Sequence, residues 1–393
     1  MKRKQLAALF ICNLAPYFVG NLLLALLPIY AIELGASETI AGIYLGLAFA
    51  TLAIGTLLSG WLSDRFQRRK QMILGAACLS FPAGLMMGQV DTIALLTLFT
   101  MIVWFSGGVS TGMVSILTGI YAEPDRRGRI FGIIGTTIAL AQILGGLAGG
   151  RIVDAWGFTA LFTVGASALV IQALSALVLE DRVVVSDSNT QANANVSPMS
   201  RVVWLLIIAS TLVGIAIFST SLGRPLLMNS LEFDASAISN TIAVGGFVGL
   251  PMPFLLGWLS DRIGRKQMLI ACYLVATAGA TVLIGAVNLW QFWLSMALFT
   301  ISGAAGFVGS AFITDLVPQN ILGVTLTRYT STAWIAGTLG YSVTGFLIES
   351  LGMPVTFALN AALPLVGAAL ILAVRPAAGV ADEMLADEPV PIA

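Results

Sequence analysis

The sequence predicts an all-α integral membrane protein, with twelve transmembrane helices in two six-helix bundles related by pseudo-two-fold symmetry. Three observations support this fold class: the composition, a series of long apolar runs, and an internal repeat. The chain of 393 residues is 58% hydrophobic and only 10% charged, whereas soluble proteins carry about 25% charged residues. Its mean hydropathy of +0.95 is typical of a chain that crosses the membrane many times.

Twelve apolar runs are long enough to cross a membrane, which takes about 20 residues in helical form. They cover residues 5–30, 39–62, 71–89, 92–121, 130–150, 155–179, 202–231, 235–260, 267–289, 290–314, 322–348 and 352–374. Lys and Arg are enriched in cytoplasmic loops. With both termini in the cytoplasm, 16 of the 19 basic residues fall on that side, the exceptions being Arg151, Arg224 and Arg328. We therefore expect a multi-pass protein of the cell membrane with cytoplasmic termini.

The longest polar stretch between apolar runs divides the chain into halves. Residues 181–201 separate six runs from six and are predicted to be a cytoplasmic linker between bundles at 1–180 and 202–375. Residues 376–393 are rich in alanine, proline and acidic residues, and are predicted to be a disordered cytoplasmic tail.

A hexapeptide, GWLSDR, occurs at 60–65 and again at 257–262, 197 positions later. Six consecutive identities at half the chain length indicate an internal duplication. Pro28 and Pro225 are separated by the same 197 positions. In transporters built from two parallel six-helix repeats, the substrate site lies near the midplane between the halves.

Each copy of the repeat continues into a basic loop. The residues that form the pattern are Gly60, Asp64, Arg65, Arg68 and Arg69 in the first copy, and Gly257, Asp261, Arg262 and Arg265 in the second. Gly264 stands in the second copy where the first has Gln67. This pattern between the second and third helices of a six-helix half resembles the major facilitator superfamily, over about residues 5–375.

The resemblance implies that the repeated motif is a conformational latch, which holds the cytoplasmic side closed in the outward-open state. Asp64 would then engage the start of helix 11 and one of Arg126, Arg127 or Arg129. Anchoring by the positive-inside rule is the alternative; it accounts for the arginines but not for the aspartates or glycines.

The fifth run contains a glycine-rich stretch, with Gly145, Gly146, Gly149 and Gly150. It is similar to the family's antiporter motif, although Ala141 replaces a glycine and Gly146 replaces a proline. The alternative is a small-residue packing face of the kind that membrane helices commonly carry. The arginine that many proton-coupled members have in the fourth helix is absent from this sequence.

The family architecture implies that helices 1, 4, 7 and 10 line the substrate cavity. The candidate cavity residues are Asn13, Tyr17, Asn21, Trp104, Ser106, Ser110, Ser221, Arg224 and Thr300, with Ser219, Ser295 and Ser302 as further polar positions. A serine in a membrane helix often bonds its own backbone instead. Arg224 has two interpretations: it faces the cavity, or it reaches the outer surface and pairs with Glu33, Glu38 or Glu232.

Proton coupling has no clear carrier, because no carboxylate lies within a predicted run. Glu33, Asp154 and Asp315, near helix ends, are the remaining candidates. Otherwise the protein is a uniporter, or the substrate carries the proton.

The resemblance to the drug/proton antiporter branch implies an efflux transporter for hydrophobic or amphiphilic molecules, working by alternating access and proton antiport. A sugar or small-metabolite carrier and a non-transporting membrane sensor or lipid-handling protein are the alternatives. Enzyme activity is not expected, since the chain has no histidine and no intramembrane acid pair. An ATP-driven pump is not expected either, because the sequence contains no Walker loop. No cofactor, metal or nucleic acid is expected. The expected partners are a small-molecule substrate, the lipid bilayer and protons, and the family default is a monomer.

Overall fold

The computed structural model describes residues 2–123, 126–181, 201–317 and 319–373. The described chain forms fourteen α-helices and one short 3₁₀ turn at Met87–Gln89. The helices are α1 (Arg3–Leu23), α2 (Leu27–Glu33), α3 (Glu38–Phe66), α4 (Arg69–Met86), α5 (Ile93–Tyr121), α6 (Arg127–Val178), α7 (Arg201–Ser230), α8 (Ala235–Gly249), α9 (Met252–Ile263), α10 (Arg265–Ile284), α11 (Leu289–Gly303), α12 (Ala305–Leu316), α13 (Gln319–Leu351) and α14 (Met353–Leu372).

These helices make twelve membrane crossings. Within the described ranges, nine segments are long and apolar enough to cross a membrane, and the pair α8–α9, bent by 45°, makes a tenth. The segment that lies in α6 is one of the nine, yet the 52 residues of α6 would extend about 78 Å as one straight helix, more than twice a ~30 Å hydrocarbon layer. Gly157, at φ 77° and ψ 179°, breaks α6 into two crossings. The twelfth is α13, with 33 residues. The predicted all-α membrane fold with twelve helices is confirmed.

The helix ends follow local sequence signals and differ from the predicted runs by a few residues. The first run is two helices, because the chain turns at 24–26 and Pro28 starts α2. Its counterpart Pro225 lies inside the unbroken α7. Asn288 and Gln291 form a capping box that starts α11, which sets the boundary between the ninth and tenth crossings.

Most of the predicted linker 181–201, and all of the predicted tail 376–393, lie outside the described residues. The division into bundles at 1–180 and 202–375 stays a prediction.

The two halves meet at one end of the molecule. We call the end that holds Asp64 and Asp261 the motif end, and the end that holds Gly157 and Gly352 the opposite end. One apolar core cluster near the opposite end includes residues of both halves, such as Leu45, Ile242 and Tyr341. Towards the motif end each half has its own cluster, around Met113 in the first and Leu269 in the second. The halves are therefore packed together at the opposite end and separated at the motif end.

Candidate substrate cavities and gates

The first half contains a cavity of about 270 Å³. Five of the predicted cavity residues line it: Tyr17, Asn21, Trp104, Ser106 and Ser110. Most of the remaining lining is apolar or aromatic. The cavity thus offers a large apolar contact surface with a few polar groups, an arrangement typical of small-molecule sites.

The other four predicted cavity residues line neither this cavity nor the second one described below. Asn13 is buried and donates through Nδ2 to Thr137 Oγ1 at 2.7 Å, which ties α1 to α6. Ser221 and Thr300 donate to the carbonyl oxygens one turn earlier, at 3.0 and 2.9 Å. Arg224 lies deeper in the protein, nearer the opposite end. These four positions line neither described cavity, and a role for them in substrate binding stays a prediction.

Some lining residues come from helices outside the expected set. Gln142 and Gln172 of α6, Phe49 of α3 and Trp334 of α13 all line the first cavity. The glutamines could have been found from the sequence, because an amide side chain within an apolar run normally faces the protein interior.

The second half contains a cavity of about 420 Å³, lined by residues of α7, α10, α12 and α13 and by Ser302. Ser210 lies at its centre, with its Oγ 3.1 Å from Tyr273 Oη and 3.0 Å from Tyr329 Oη. Ser302 Oγ is buried and makes no hydrogen bond to a described residue. This lining is richer in hydroxyl groups than that of the first cavity.

Three aromatic rings, which we call the aromatic cluster, connect the two cavities. Phe49 lines the first cavity and Phe218 the second, and their ring centroids are 5.1 Å apart. Tyr341 packs on both, at 4.8 Å from Phe49 and 5.7 Å from Phe218. Phe49 belongs to the first half and the other two rings to the second, so any relative movement of the halves disrupts this cluster.

Arg224 lies about 9 Å from the end of α7, because six residues follow it in that helix. The side chain is only 2% exposed. Its Nε and Nη1 atoms are buried and have no hydrogen-bond partner among the described residues. It forms no ion pair with Glu33, Glu38 or Glu232, so the surface-pairing interpretation is wrong.

In the first copy of the repeated motif, the described side chains make no contact of the predicted latch. Asp64, Arg65 and Arg68 are exposed, and Asp64 has no partner within the described ranges. The structure does not describe the side chains of Arg127 and of the first residues of α13, which is the predicted helix 11. Arg69 is buried instead: its Nε donates to Ser63 Oγ at 2.7 Å, and its Nη1 lies 3.7 Å from Asp181 Oδ1.

The second copy has a different arrangement. Arg265 bridges two carboxylates, with Nε 2.8 Å from Asp315 Oδ2 and Nη2 3.8 Å from Asp261 Oδ1. Arg262 lies over the ring of Trp258, at 3.9 Å from its centroid. Gly60 and Gly257 face open space rather than a neighbouring helix. Both motif loops are therefore organised within their own halves in this structure.

At the opposite end the glycines of α6 make close contacts on two sides. A Cβ on Gly145 or Gly149 would lie 2.7 Å from backbone atoms of Leu22 in α1. A Cβ on Gly146 or Gly150 would overlap the backbone of α8, at Ala243 and Ala235. This stretch is thus a small-residue packing face, and one side of it contacts the other half of the molecule.

Two carboxylates also join the halves at the opposite end. Asp154 accepts hydrogen bonds from the backbone nitrogens of Ala235 at 3.1 Å and Ser236 at 2.9 Å, and from Ser236 Oγ. Glu349 accepts from the backbone nitrogen of Thr39 at 3.0 Å. Each carboxylate therefore caps the first turn of a helix from the other half, α8 or α3, where the helix dipole favours a negative charge.

The two caps are equivalent by the internal repeat. Asp154 precedes Gly157 by three residues, Glu349 precedes Gly352 by three, and both glycines have positive φ, 77° and 81°. Thr39 and Ser236 are separated by 197 positions, the spacing of the repeat. We call Asp154 and Glu349 the opposite-end caps.

Comparison with known proteins shows the family. Residues 9–308 and 225–393 match the sequence pattern of the Major Facilitator Superfamily. The multidrug resistance protein MdtG of Salmonella typhimurium is 27% identical over 331 residues, which cover 81% of this chain and 78% of that protein. The multidrug resistance protein B homolog of Mycobacterium tuberculosis is 32% identical over 130 residues, 31% of this chain, and the match spans only 24% of that relative's length.

A solved structure shows the same fold. The nucleoside transporter NupG superposes with a TM-score of 0.75 at 17% identity, over 94% of this chain and 99% of that one. Together with the match to the family pattern over most of the sequence, this likeness shows that the chain belongs to the major facilitator superfamily of membrane transporters.

Proposed function

We propose that the protein exports hydrophobic or amphiphilic small molecules by alternating access, with protons as the coupling ion. The observation that carries this proposal is the first cavity, whose lining combines Tyr17, Phe49, Trp104 and Trp334 with uncharged polar groups. Such a lining recognises apolar bodies more readily than densely hydroxylated ones. The multidrug resistance proteins among the relatives support the same substrate class.

The proposed orientation places the motif end in the cytoplasm. The repeated motif concentrates arginine and lysine at this end, in agreement with the positive-inside rule. The halves are separated at that end, so this structure corresponds to a cavity open to the cytoplasm. The protein would then collect its substrate from the cytoplasm and lie in the plasma membrane with both termini inside.

The proposed movement is a rocking of residues 1–180 against residues 202–375, as a monomer. Outward opening would break the opposite-end caps and the aromatic cluster, and would bring Asp64 to the start of α13. The exposed, unpartnered Asp64 supports this proposal, since it is available for a contact that forms only in the other state.

Proton coupling requires a titratable group whose surroundings change as the halves move. Neither cavity is lined by a carboxylate within the described ranges. Of the three candidates from the sequence, Asp315 pairs with Arg265, Glu33 ends α2, and only Asp154 lies between the halves. Asp154 is therefore the candidate for coupling proton binding to movement.

A small-metabolite carrier is the second candidate function. The hydroxyl groups of Ser210, Tyr273, Tyr329 and Ser302 around the second cavity favour it, because they suit a hydroxylated solute. Three of these hydroxyls bond one another, which reduces what they offer a solute.

Transport in proteoliposomes under an imposed pH gradient tests the proposal. Lipophilic dyes and labelled sugars are compared in wild type, in Asp64→Asn, and in Asp91→Asn as a control at the opposite end. We expect gradient-dependent dye movement that Asp64→Asn abolishes and Asp91→Asn leaves intact. Dye movement that ignores the gradient contradicts proton antiport, and movement of sugars without dyes supports the metabolite carrier.

A further inference from the structure

We infer that Arg224 recognises an acidic group, and that the substrates of this exporter are amphiphilic anions: an apolar body carrying one sulfonate, carboxylate or phosphate. This inference rests on the proposed export function and specifies its substrate class.

The guanidinium of Arg224 is buried and has no ion pair among the described residues. A buried arginine normally has a carboxylate partner, because an uncompensated charge away from water is strongly unfavourable. Arg224 is 2% exposed and has neither an ion pair nor a hydrogen bond at Nε or Nη1 among the described residues. The part of the chain that the structure describes thus holds a cation in the interior without supplying an anion.

The polar groups next to Arg224 are the hydroxyls of Tyr341 and Ser221. Tyr341 neighbours Arg224, is fully buried, and its hydroxyl lies beside that of Ser221. Ser221, one turn before Arg224, donates its proton to Ile217 O. A guanidinium has donors and no acceptor, and the two hydroxyls beside it can accept a hydrogen bond but carry no negative charge. The missing component is an acceptor with negative charge, and an oxyanion provides it with short, charge-assisted hydrogen bonds.

Arg224 lies beyond the aromatic cluster as seen from the two cavities. Phe49 and Phe218 border the two cavities, and Tyr341 packs on both rings. Arg224 therefore lies behind these rings and outside the first cavity, so the acidic group of a substrate held there would reach Arg224 when the aromatic cluster opens. The Phe49–Tyr341 contact joins the two halves, so their separation at the opposite end opens this path outwards.

An anionic substrate also changes the driving force. A membrane potential that is negative inside favours the exit of a monoanion, by roughly 50-fold per 100 mV. In proton antiport the potential drives both the inward proton and the outward anion, so it adds to the pH gradient as a driving force for export. Cavity linings without a carboxylate within the described ranges also suit an anion.

A matched series of probes tests the inference: naphthalenesulfonate, neutral naphthalenesulfonamide and a naphthylmethyl trimethylammonium cation. Their dissociation constants are measured by calorimetry on the purified full-length protein. Movement of the two ions is measured in proteoliposomes under a potassium diffusion potential without a pH gradient. The variants are Arg224→Gln and Arg224→Lys, with Arg328→Gln as the control that removes an arginine of α13 away from this site.

We expect wild type to bind the sulfonate at least ~10-fold more tightly than the sulfonamide, as charged hydrogen bonds would produce. Arg224→Gln should abolish this preference, Arg224→Lys should retain part of it, and Arg328→Gln should leave it intact. Equal binding of all three probes by wild type, transport of the cation alone, or an Arg224→Gln variant that weakens all probes equally would overturn the inference while export stands. If wild type neither binds nor moves any probe, the proposed export function itself fails.

Discussion

Arg69 and Arg265 show how the two copies of one motif stabilise different contacts. Arg265 is partly exposed and bridges Asp261 and Asp315. Arg69 is buried beside Asp181 at the end of the first half. Part of the reason lies at the left-handed residue of each loop, Gly264 at φ 94° and Gln67 at φ 50°. A side chain tolerates the second conformation but rarely the first, so the two loops direct their arginines differently.

This difference predicts unequal effects of neighbouring arginines on stability. Arg69→Gln should lower the free energy of unfolding by about 3 kcal/mol, because it leaves the Asp181 carboxylate without its buried partner. The adjacent Arg68→Gln should change it by less than about 0.5 kcal/mol, since Arg68 is exposed. Thermal unfolding of the detergent-solubilised protein measures both. Equal shifts in the two variants would show that the Arg69 contact does not stabilise the fold.

Serine and asparagine positions explain why only part of the site could be predicted. Residues 17, 21, 104, 106 and 110 were found because the resemblance to the family implies that helices 1 and 4 line the cavity, and these are polar or amphipathic residues of those two helices. Ser221 and Thr300 satisfy their hydroxyls on their own helices, and Asn13 bonds Thr137. Whether a hydroxyl bonds its own backbone or a ligand depends on helix rotation, which the composition of a run does not determine.

At the scale of the helix, the glycines of α6 set how closely the halves approach. Gly150→Leu should wedge α6 away from α8, because any side chain there overlaps Ala235. Overpacking costs about 1–3 kcal/mol, so the ratio of closed to open states at the opposite end should fall roughly 5- to 160-fold. The measured quantity is the rate at which an impermeant maleimide alkylates the Ser239→Cys variant. Position 239 is buried between these helices.

Gly135→Leu is the matched control for this wedge. Gly135 lies on the same helix towards the motif end, and a Cβ there meets no neighbouring atom. We expect no increase in the alkylation rate. Similar rates in the two leucine variants would mean that close packing at Gly150 does not hold the opposite end closed.

The opposite-end caps hold the first turns of α3 and α8 across the boundary between the halves. Asp154→Ala should raise the hydrogen-exchange rate of the Ala235 and Ser236 amides about 5-fold, since loss of an N-terminal cap costs about 1 kcal/mol. Glu349→Ala should do the same for Thr39.

Asp234→Ala distinguishes the two effects of a cap, which are to stabilise the first turn of a helix and to hold the two halves together. Asp234 caps α8 from its own half, by accepting from Ala237 N at 2.6 Å. This control should loosen α8 without changing the separation of the halves. A change in that separation equal to the change in Asp154→Ala would contradict a special role for the contact between halves.

At the scale of the whole molecule, the number of crossings and the all-α class follow from apolar run length, which is a property of the sequence alone. The internal repeat was visible where six residues are identical. The equivalence of Asp154 and Glu349 was not visible in the sequence, because few of the residues around them are identical. The two positions share an acidic side chain and a glycine three residues later. The open end could not be predicted, since one sequence encodes both end states and their balance depends on small free-energy differences.

Distance measurement between spin labels tests the central claim, that the halves rock about a site between them. In a background with Cys12, Cys78 and Cys272 changed to alanine, one label pair is placed at Arg65 and Arg262 at the motif end. A second pair at Asp91 and Val287 reports on the opposite end. All four positions are exposed. The pairs are measured in the wild type and in the double variant Asp154→Ala/Glu349→Ala.

We predict that the double variant shortens the motif-end distance and lengthens the opposite-end distance, because releasing the caps favours the outward-open arrangement. Adding Asp64→Asn to the double variant should restore the wild-type distances by removing the latch. If both distances increase together, or if neither responds to loss of the caps, the two halves do not rock as rigid bodies and the account is wrong.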